Sequence, residues 1–448
     1  MAQGSGLTRG DRNRNRKIGA LREVVRADRA VLAVDLGEDK QVAVVAGGDG
    51  RVLGRKVVKA KAHELGGLVE WGAGVAARAG LGGLVVACEP TGHRWKALMG
   101  LADAAGHGFC CVQPLAVARA REGDDYTRDK TDHRDAYLIG KLTVRLDCYL
   151  PERADEQWAR LRHLGARRSG LAQDVTACLQ QAADLLGCAW PAPLGACKRP
   201  LESVTWLAGM TVVTSRCCGD PRRVRKMGYA GFLAAVRREL PRWGGKRACH
   251  AVVRALWDAL ADTAGVAAQR PGALERLRLL LEDWRDLRAR LAGTEGLMTV
   301  VLEDLGLAGL VASIPGVTAL TGAMILAESG DPRRFSSARA LVKHAGLNPT
   351  ERTSATITGQ SRVSRRGRPG LRAAAWRAAW GAMPHNHVLA ARHARLAGRD
   401  KRPLAGGQAR VACAATLLRW IWAVTGRPWD ARIAAGEAAR NAAALAAA

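Results

Sequence analysis

Four carboxylates and a serine have the residue types and settings that phosphoryl transfer requires. Asp35 ends the apolar run RAVLAVD, with Gly37 just beyond it, and Glu89 ends a second apolar run, LVVACE, ahead of a Pro90-Thr91-Gly92 turn. Asp132 and Asp135 lie three residues apart, a spacing that puts both on one face of a helix. Acids at strand ends and on a facing helix can converge on hard cations such as Mg²⁺ or Mn²⁺. A two-metal site of that kind activates an attacking oxygen with one ion and stabilises the leaving oxygen with the other. Each acid also has a simpler role open to it. Asp35 and Glu89 can be turn or cap residues, and Asp132 and Asp135 can pair with Lys130 and Arg134 on a solvated helix face. Far along the chain, the polar segment 345–370 carries the hydroxyls Thr353, Ser354, Ser361 and Ser364. Each is either a solvated turn residue or, beside a base or a metal, a nucleophile.

The elements that must position these groups follow from pattern. QVAVVAGGDGRVLGRKVV has a GGDG turn between two strand-like runs and predicts a β-hairpin. The run from Leu84 to Glu89 predicts a buried strand, PTGHRWKALMGLADAAG a helix from Pro90 to Gly106, GFCCVQP a third short strand, and KTDHRDAYLIGKLTVRL a helix of period 3.6. This alternation predicts an α/β domain over 29–150. Helix predominates over 151–304, where Leu274, Leu277, Leu281, Trp284 and Leu291 keep 3-4-type spacing over fewer heptads than a coiled coil needs, so that a coiled coil and a simple bundle helix are both open. That seam over 270–292 is a candidate surface for pairing subunits. Glycine- and proline-rich patches at 187–200 and 219–245 predict loops. A C-terminal helical domain spans 305–430, where LVASIPGVTALTGAMILAESGDPRRF predicts helix, tight turn and helix. An Ala-rich tail occupies 431–448, and residues 1–28, with Arg9, Arg12, Arg14, Arg16 and Lys17, predict a disordered basic arm.

Composition narrows the partners. The 448 residues carry 69 Lys and Arg against 41 Asp and Glu, a formal net charge of +28. So large a surplus, spread through the chain, implies a polyanionic partner, because neutralising phosphates releases condensed counterions. No apolar run approaches the roughly 20 residues that span a bilayer. The N-terminus lacks an apolar secretory segment, so a cytoplasmic, nucleoid-associated protein is expected. Eleven cysteines without a C-x-x-C pair point to reduced, mostly buried thiols rather than zinc ligands or disulfides.

AVDLG at 33–37, CEPTG at 88–92 and DKTDHRDA at 129–136 resemble the three acidic motifs of the DEDD transposases. That family, insertion-sequence family one hundred and ten, includes the Piv-type DNA invertases. The resemblance implies an RNase H-like domain similar to the RuvC junction resolvase, with Mg²⁺ or Mn²⁺ held by Asp35, Glu89, Asp132 and Asp135. LVASIPGVTALTGAMILAE resembles the family's helix-hairpin-helix element, where Gly316 would let the backbone approach phosphate, although the usual Gly-x-Gly is here Gly316-Val317-Thr318. AGLNPTERTSATITGQSRVSRRGRPGLRAAAWRAAW resembles the segment that carries the nucleophilic serine. Aligning Gly359 and the run from Gly367 to Arg372 puts that serine at Ser354, followed by Ala355 where the family usually has glycine. Lys130, Arg134, Arg362, Arg365, Arg366, Arg368 and Arg372 are then candidate contacts to phosphate or guide RNA.

The resemblance implies strand exchange between donor and target DNA, a covalent phosphoserine, a structured noncoding bridge RNA that pairs with both DNAs, and a homo-oligomer, either dimer or tetramer. Three other readings stand beside it. The first is a hydrolytic junction nuclease with water as nucleophile, and the second a non-catalytic nucleic-acid binder. The third is a sugar-kinase-like fold, since AVDLGEDKQ also resembles an actin-type phosphate hairpin, but no second phosphate loop accompanies it.

Overall fold

Apolar residues run unbroken along the first two strands, and the parity of each position decides which face its side chain enters. The computed structural model describes residues 6–125, 129–153, 155–350, 362–400 and 402–426. It divides into two compact units, Met1–Arg153 and Ala154–Ala448.

The first unit contains α1 (Arg9–Val24), β1 (Ala30–Leu36), β2 (Lys40–Ala46), β3 (Val52–Lys59), α2 (Ala62–Arg78), β4 (Leu84–Cys88), α3 (Arg94–Ala104), β5 (Gly108–Cys111), α4 (Pro114–Asp125) and α5 (Asp132–Val144). The five strands form one sheet in the order β3-β2-β1-β4-β5. β1, β2 and β3 are antiparallel neighbours, whereas β4 runs parallel to both β1 and β5. The predicted hairpin is present as β2 and β3, its turn closed by Gly47 N–H donating to the Arg51 carbonyl at 2.9 Å.

Both sheet faces are covered. Leu32, Val34, Ala43, Val45, Val86 and Cys88 pack with Leu65, Leu68 and Leu98 of α2 and α3. Val31, Ala33, Val85, Ala87 and Cys110 pack on the other face with Val117, Leu138, Ile139 and Leu142 of α4 and α5. Gly140 lets α5 lie close, since a Cβ there would stand 3.4 Å from the Ala33 Cβ.

The expectation of a disordered arm is corrected over Arg9–Val24, which forms a helix. Thr8 and Asp11 close a capping box at its start, each side chain accepting from the other's backbone N–H. Leu21 and Val25, one turn apart, are buried at its far end against the sheet. Two apolar anchors and a cap outweigh a polar run that has no continuous apolar stripe.

Among its described residues the second unit's regular elements are helices apart from the two-residue strands β6 (Pro349–Thr350) and β7 (Arg362–Val363). Its helices are α6 (Glu156–Ala189), α7 (Val204–Arg216), α8 (Gly228–Glu239), α9 (His250–Ala259), α10 (Arg270–Asp304), α11 (Ala308–Ala312), α12 (Ala319–Ser329), α13 (Ala338–His344), α14 (Pro369–Ala382), α15 (His387–Ala397) and α16 (Gly406–Thr425). The long helices α6 and α10 pack together and join two cores. Trp158, Leu161, Met298, Val301 and Leu302 enter one core with α12, α13, α14 and α16. Cys178, Ala182, Leu186, Leu274, Leu277, Leu281 and Trp284 enter the other with α7, α8 and α9.

Two further expectations change here. Leu274, Leu277, Leu281 and Trp284 are buried within the chain, so the seam over 270–292 is occupied by α6 and the middle helices and cannot pair subunits. The patch at 219–245 is not all loop: Phe232, Ala235 and Val236 supply a buried i, i+3, i+4 stripe to α8. Among the described residues no helix is long and apolar enough to cross a membrane, and all eleven cysteines are free, seven of them buried.

Candidate active site

Strand parity and register bring the first two acids together. Asp35 shares the parity of Val31 and Ala33, and Glu89 that of Val85 and Ala87, so both side chains project to the face covered by α5. The parallel register pairs Val34 with Cys88, which puts Asp35 and Glu89 side by side at the carboxyl ends of adjacent strands. Gly37 is required just beyond, because a Cβ there would lie 2.6 Å from the Lys40 carbonyl oxygen in the tight β1–β2 turn. Asp132 and Asp135 occupy the first turn of α5, where Thr131 caps the helix by accepting from the Arg134 N–H at 3.3 Å. Helix N–H groups left unpaired at that end favour the negative charge.

Two of the acids feel the charge of their neighbours. The Asp35 carboxyl is pushed up to about 6, first by burial, then by the charges of Asp135, Asp132 and Glu89, with Lys130 opposing. Glu89 is raised by burial and by Asp135, with Lys130 and Arg121 opposing. Such a group of like charges is an electrostatic deficit that a divalent cation would offset.

Two of the acids already hold cations. Arg121 on α4 donates from Nε and Nη2 to the same Oδ1 of Asp135, at 2.9 and 2.6 Å, and the Asp135 side chain is only 5% exposed. Lys40 lies 3.1 Å from Asp132 Oδ2 near the surface. Among the described residues no three His, Cys, Asp or Glu side chains form a ready-made ligand set. The donor set, oxygen only and short of positive charge, fits a hard divalent cation in chemistry, and Asp132 and Asp135 would share or exchange Lys40 and Arg121 to hold one.

Sequence reasoning missed Lys40, Arg121 and Gln41. Gln41, 1% exposed, donates to the Gly37 carbonyl at 3.1 Å and braces the turn after Asp35, as does Arg94, which donates to the same carbonyl. No spacing rule connects these positions to the acids. Lys130 is exposed, and Arg134 is tied to the carbonyls of Asp129 and Arg121.

In the second unit, Gly316 has a φ of +78° in the turn between α11 and α12, and a Cβ there would lie 2.7 Å from the Ala382 carbonyl oxygen. Asn386 donates to the Pro315 carbonyl at 3.0 Å and fixes the same turn. Packing within the chain is therefore enough to require this glycine. Thr353, Ser354 and Ser361 lie outside the described residues. Ser364 donates its hydroxyl to Asn348 Oδ1 at 2.7 Å. Arg368 is ion-paired with Glu328 at 2.6 Å, and Arg372 donates to the carbonyls of Ala345 and Arg365. Arg362, Arg365 and Arg366 are exposed. His344 is pushed down to about 4, first by burial and then by the charges of Arg334, Arg368 and Arg162.

A family model for DEDD transposases of the IS110 type, described as "Transposase", matches residues 32–191. A second, described as "Transposase IS116/IS110/IS902 family", matches 308–394. The chain is 30% identical over 253 residues to the mini-circle putative transposase for IS117 of Streptomyces coelicolor, covering 54% of this chain and 58% of that protein. It is 27% identical to the insertion element IS110 uncharacterized 43.6 kDa protein of the same organism, over 60% of this chain and 64% of that protein. It is 28% identical to the insertion element IS900 uncharacterized 42 kDa protein of Mycobacterium paratuberculosis, over 74% and 80%. The matches to the first two relatives thus span less than two thirds of their length.

Proposed function

The chain belongs to the IS110 family of transposases, and from that premise we propose that it cleaves and rejoins DNA strands to move an insertion sequence. The observation that carries this reading is the placement of Asp35 and Glu89 side by side at the ends of adjacent parallel strands, on the face covered by the helix that starts with Asp132 and Asp135. The sheet order β3-β2-β1-β4-β5 supports an RNase H-like, RuvC-like first unit. The four acids would hold Mg²⁺ or Mn²⁺, which supplies charge stabilisation to the phosphate under attack.

The chain's own residues have distinct parts. Asp35 and Glu89 sit on strands and offer fixed oxygens, whereas Asp132 and Asp135 ride on a capped helix start. Arg121 orients Asp135. Ser354 is the nucleophile of this reading: its hydroxyl oxygen attacks phosphorus and the leaving strand departs, giving a phosphoserine that a second strand end then displaces. Lys130, Arg362, Arg365 and Arg366 contact phosphate. Arg368, Arg372 and Gly316 hold the loop and turn that present them, and Arg134 serves α5 in the same way. Donor and target DNA are the substrates, a bridge RNA is the guide, and the working form is a homo-oligomer.

Strand cleavage by the full chain on DNA carrying an element end tests this reading. Asp35→Asn should lower cleavage about a hundred- to a thousandfold while DNA binding persists. Ser354→Ala should abolish the covalent protein–DNA adduct. An Asp35→Asn variant that cuts at the wild-type rate would overturn the metal-site reading. A Ser354→Ala variant that still cuts would turn the recombinase into a hydrolytic nuclease.

A further inference from the structure

Two tryptophans of the second unit have no part in this chemistry. Helix α14 buries a stripe of Leu371, Ala374, Ala375, Ala378, Ala379 and Ala382 in the helical core. Trp376 and Trp380, one turn apart, lie off that stripe and are 37% and 49% exposed. Their rings stack with centroids 5.8 Å apart and planes at 23°. From α16, the Arg410 guanidinium sits 3.4 Å over the Trp380 ring centroid, a cation–π contact that orients the indole. Abundance does not explain the exposure, because Trp158, Trp190, Trp206, Trp243, Trp257 and Trp284 are all buried.

The stretch of sequence that carries Trp376 and Trp380 is strongly one-signed. Between Arg362 and Gly426 the sequence has 13 Lys and Arg and a single acid, Asp400. Even within the fold these charges press on one another: Arg419 has its charge disfavoured by burial and by Arg392 and Arg339. A second copy of this chain meeting the patch across a two-fold axis would bring two such stretches face to face, at a repulsive cost. A polyanion with exposed aromatic faces suits both features at once.

We propose that Trp376 and Trp380, braced by Arg410, form a stacking platform for unpaired bases of single-stranded nucleic acid. Bases in a duplex are already stacked on one another, so an exposed indole pair gains only from bases that are free. Every base has a π face, so such a platform tolerates any sequence while the arginines around it take the phosphates. This inference rests on the nucleic-acid reading above but not on the carboxylate chemistry.

The test uses the full chain in chelator, with a short labelled oligonucleotide of mixed, non-self-complementary sequence as single-stranded RNA, single-stranded DNA and annealed DNA duplex. Trp376→Leu with Trp380→Leu keeps apolar volume but removes the π faces. It should weaken single-strand binding about ten- to a hundredfold and leave duplex affinity within about twofold. Trp376→Phe with Trp380→Phe should restore most of the loss. Equal binding by wild type and the leucine variant, or equal loss on single strand and duplex, would overturn the platform and leave the proposed function standing. A wild-type chain that binds none of the probes would instead sink the nucleic-acid reading itself. A leucine variant whose sedimentation changes while its binding does not would assign the patch to a second copy and overturn the platform.

Discussion

The two charged regions handle like charge in opposite ways. In the first unit, four acids sit on strand ends and a helix start, half-buried or buried, and the charges of the others raise the carboxyls of Asp35 and Glu89. In the second unit, the sequence between Arg362 and Gly426 carries 13 cations and one acid, with Arg362, Arg365 and Arg366 exposed. Water screens most of the second arrangement, although Arg392 and Arg339 still disfavour the charge of the partly buried Arg419, and a polyanion would relieve that repulsion. Water reaches the first only in part, and there Asp135 and Asp132 are neutralised by Arg121 and Lys40, the cations that the proposed metal would have to displace or share. The difference separates two tasks: fixed oxygens on rigid elements suit chemistry at one phosphorus, whereas dispersed cations suit grip on many phosphates.

Salt should break this comparison most visibly. If the basic surface engages about 6–10 phosphates, DNA affinity should fall roughly 10³–10⁵-fold between about 50 and 200 mM salt. Filter binding or anisotropy across that range checks it, and a flat response would remove the polyanion argument.

The next effect concerns the acids' own cations. In divalent-free buffer, Arg121→Met should destabilise the first unit by about 3–5 kcal/mol, because it strands a buried Asp135 charge. Lys40→Ala breaks a surface pair and should cost under about 1 kcal/mol. Denaturant unfolding of the full chain separates the two, and equal effects would contradict the burial difference.

Much of this site was legible in the sequence because parity and register are local properties. An acid closing a run such as RAVLAVD inherits its direction from the apolar residues before it, and Asp132 with Asp135 inherit theirs from helical spacing. The three motifs of the resemblance added that the runs belong together. Arg121, Lys40 and Gln41 were not legible, since each meets its partner only after the sheet and α5 are assembled. The helix at Arg9–Val24 was hidden because its apolar contacts are confined to Leu21 and Val25 at one end. The seam over 270–292 is apolar as its spacing predicts, and its partners are helices of the same chain, a choice between bundle and coiled coil that spacing alone does not encode.

A smaller effect follows from Asp35. Its carboxyl stands near 6 rather than 3.8, so between those values the folded chain keeps a proton that the unfolded chain has lost. Stability without divalent metal should therefore fall as pH rises through about 4 to 6, and stay lower above that window. Allowing for the solvent that reaches this half-buried group, the change should be about 1–2 kcal/mol. Comparing wild type with Asp35→Asn isolates it: the variant should lose this slope and be the more stable of the two at pH 7. Smaller still, Thr131→Ala removes the α5 cap and should cost about 1 kcal/mol in a thermal melt.

The most direct test of the account is Mn²⁺ binding by the full chain, followed by electron paramagnetic resonance without DNA and then with an uncleavable DNA end. The account predicts bound Mn²⁺ in the wild type, strengthened by DNA, and lost in an Asp35→Asn, Asp135→Asn double variant that still binds DNA. Mn²⁺ bound equally by wild type and double variant, or by neither at millimolar metal with DNA present, would contradict it.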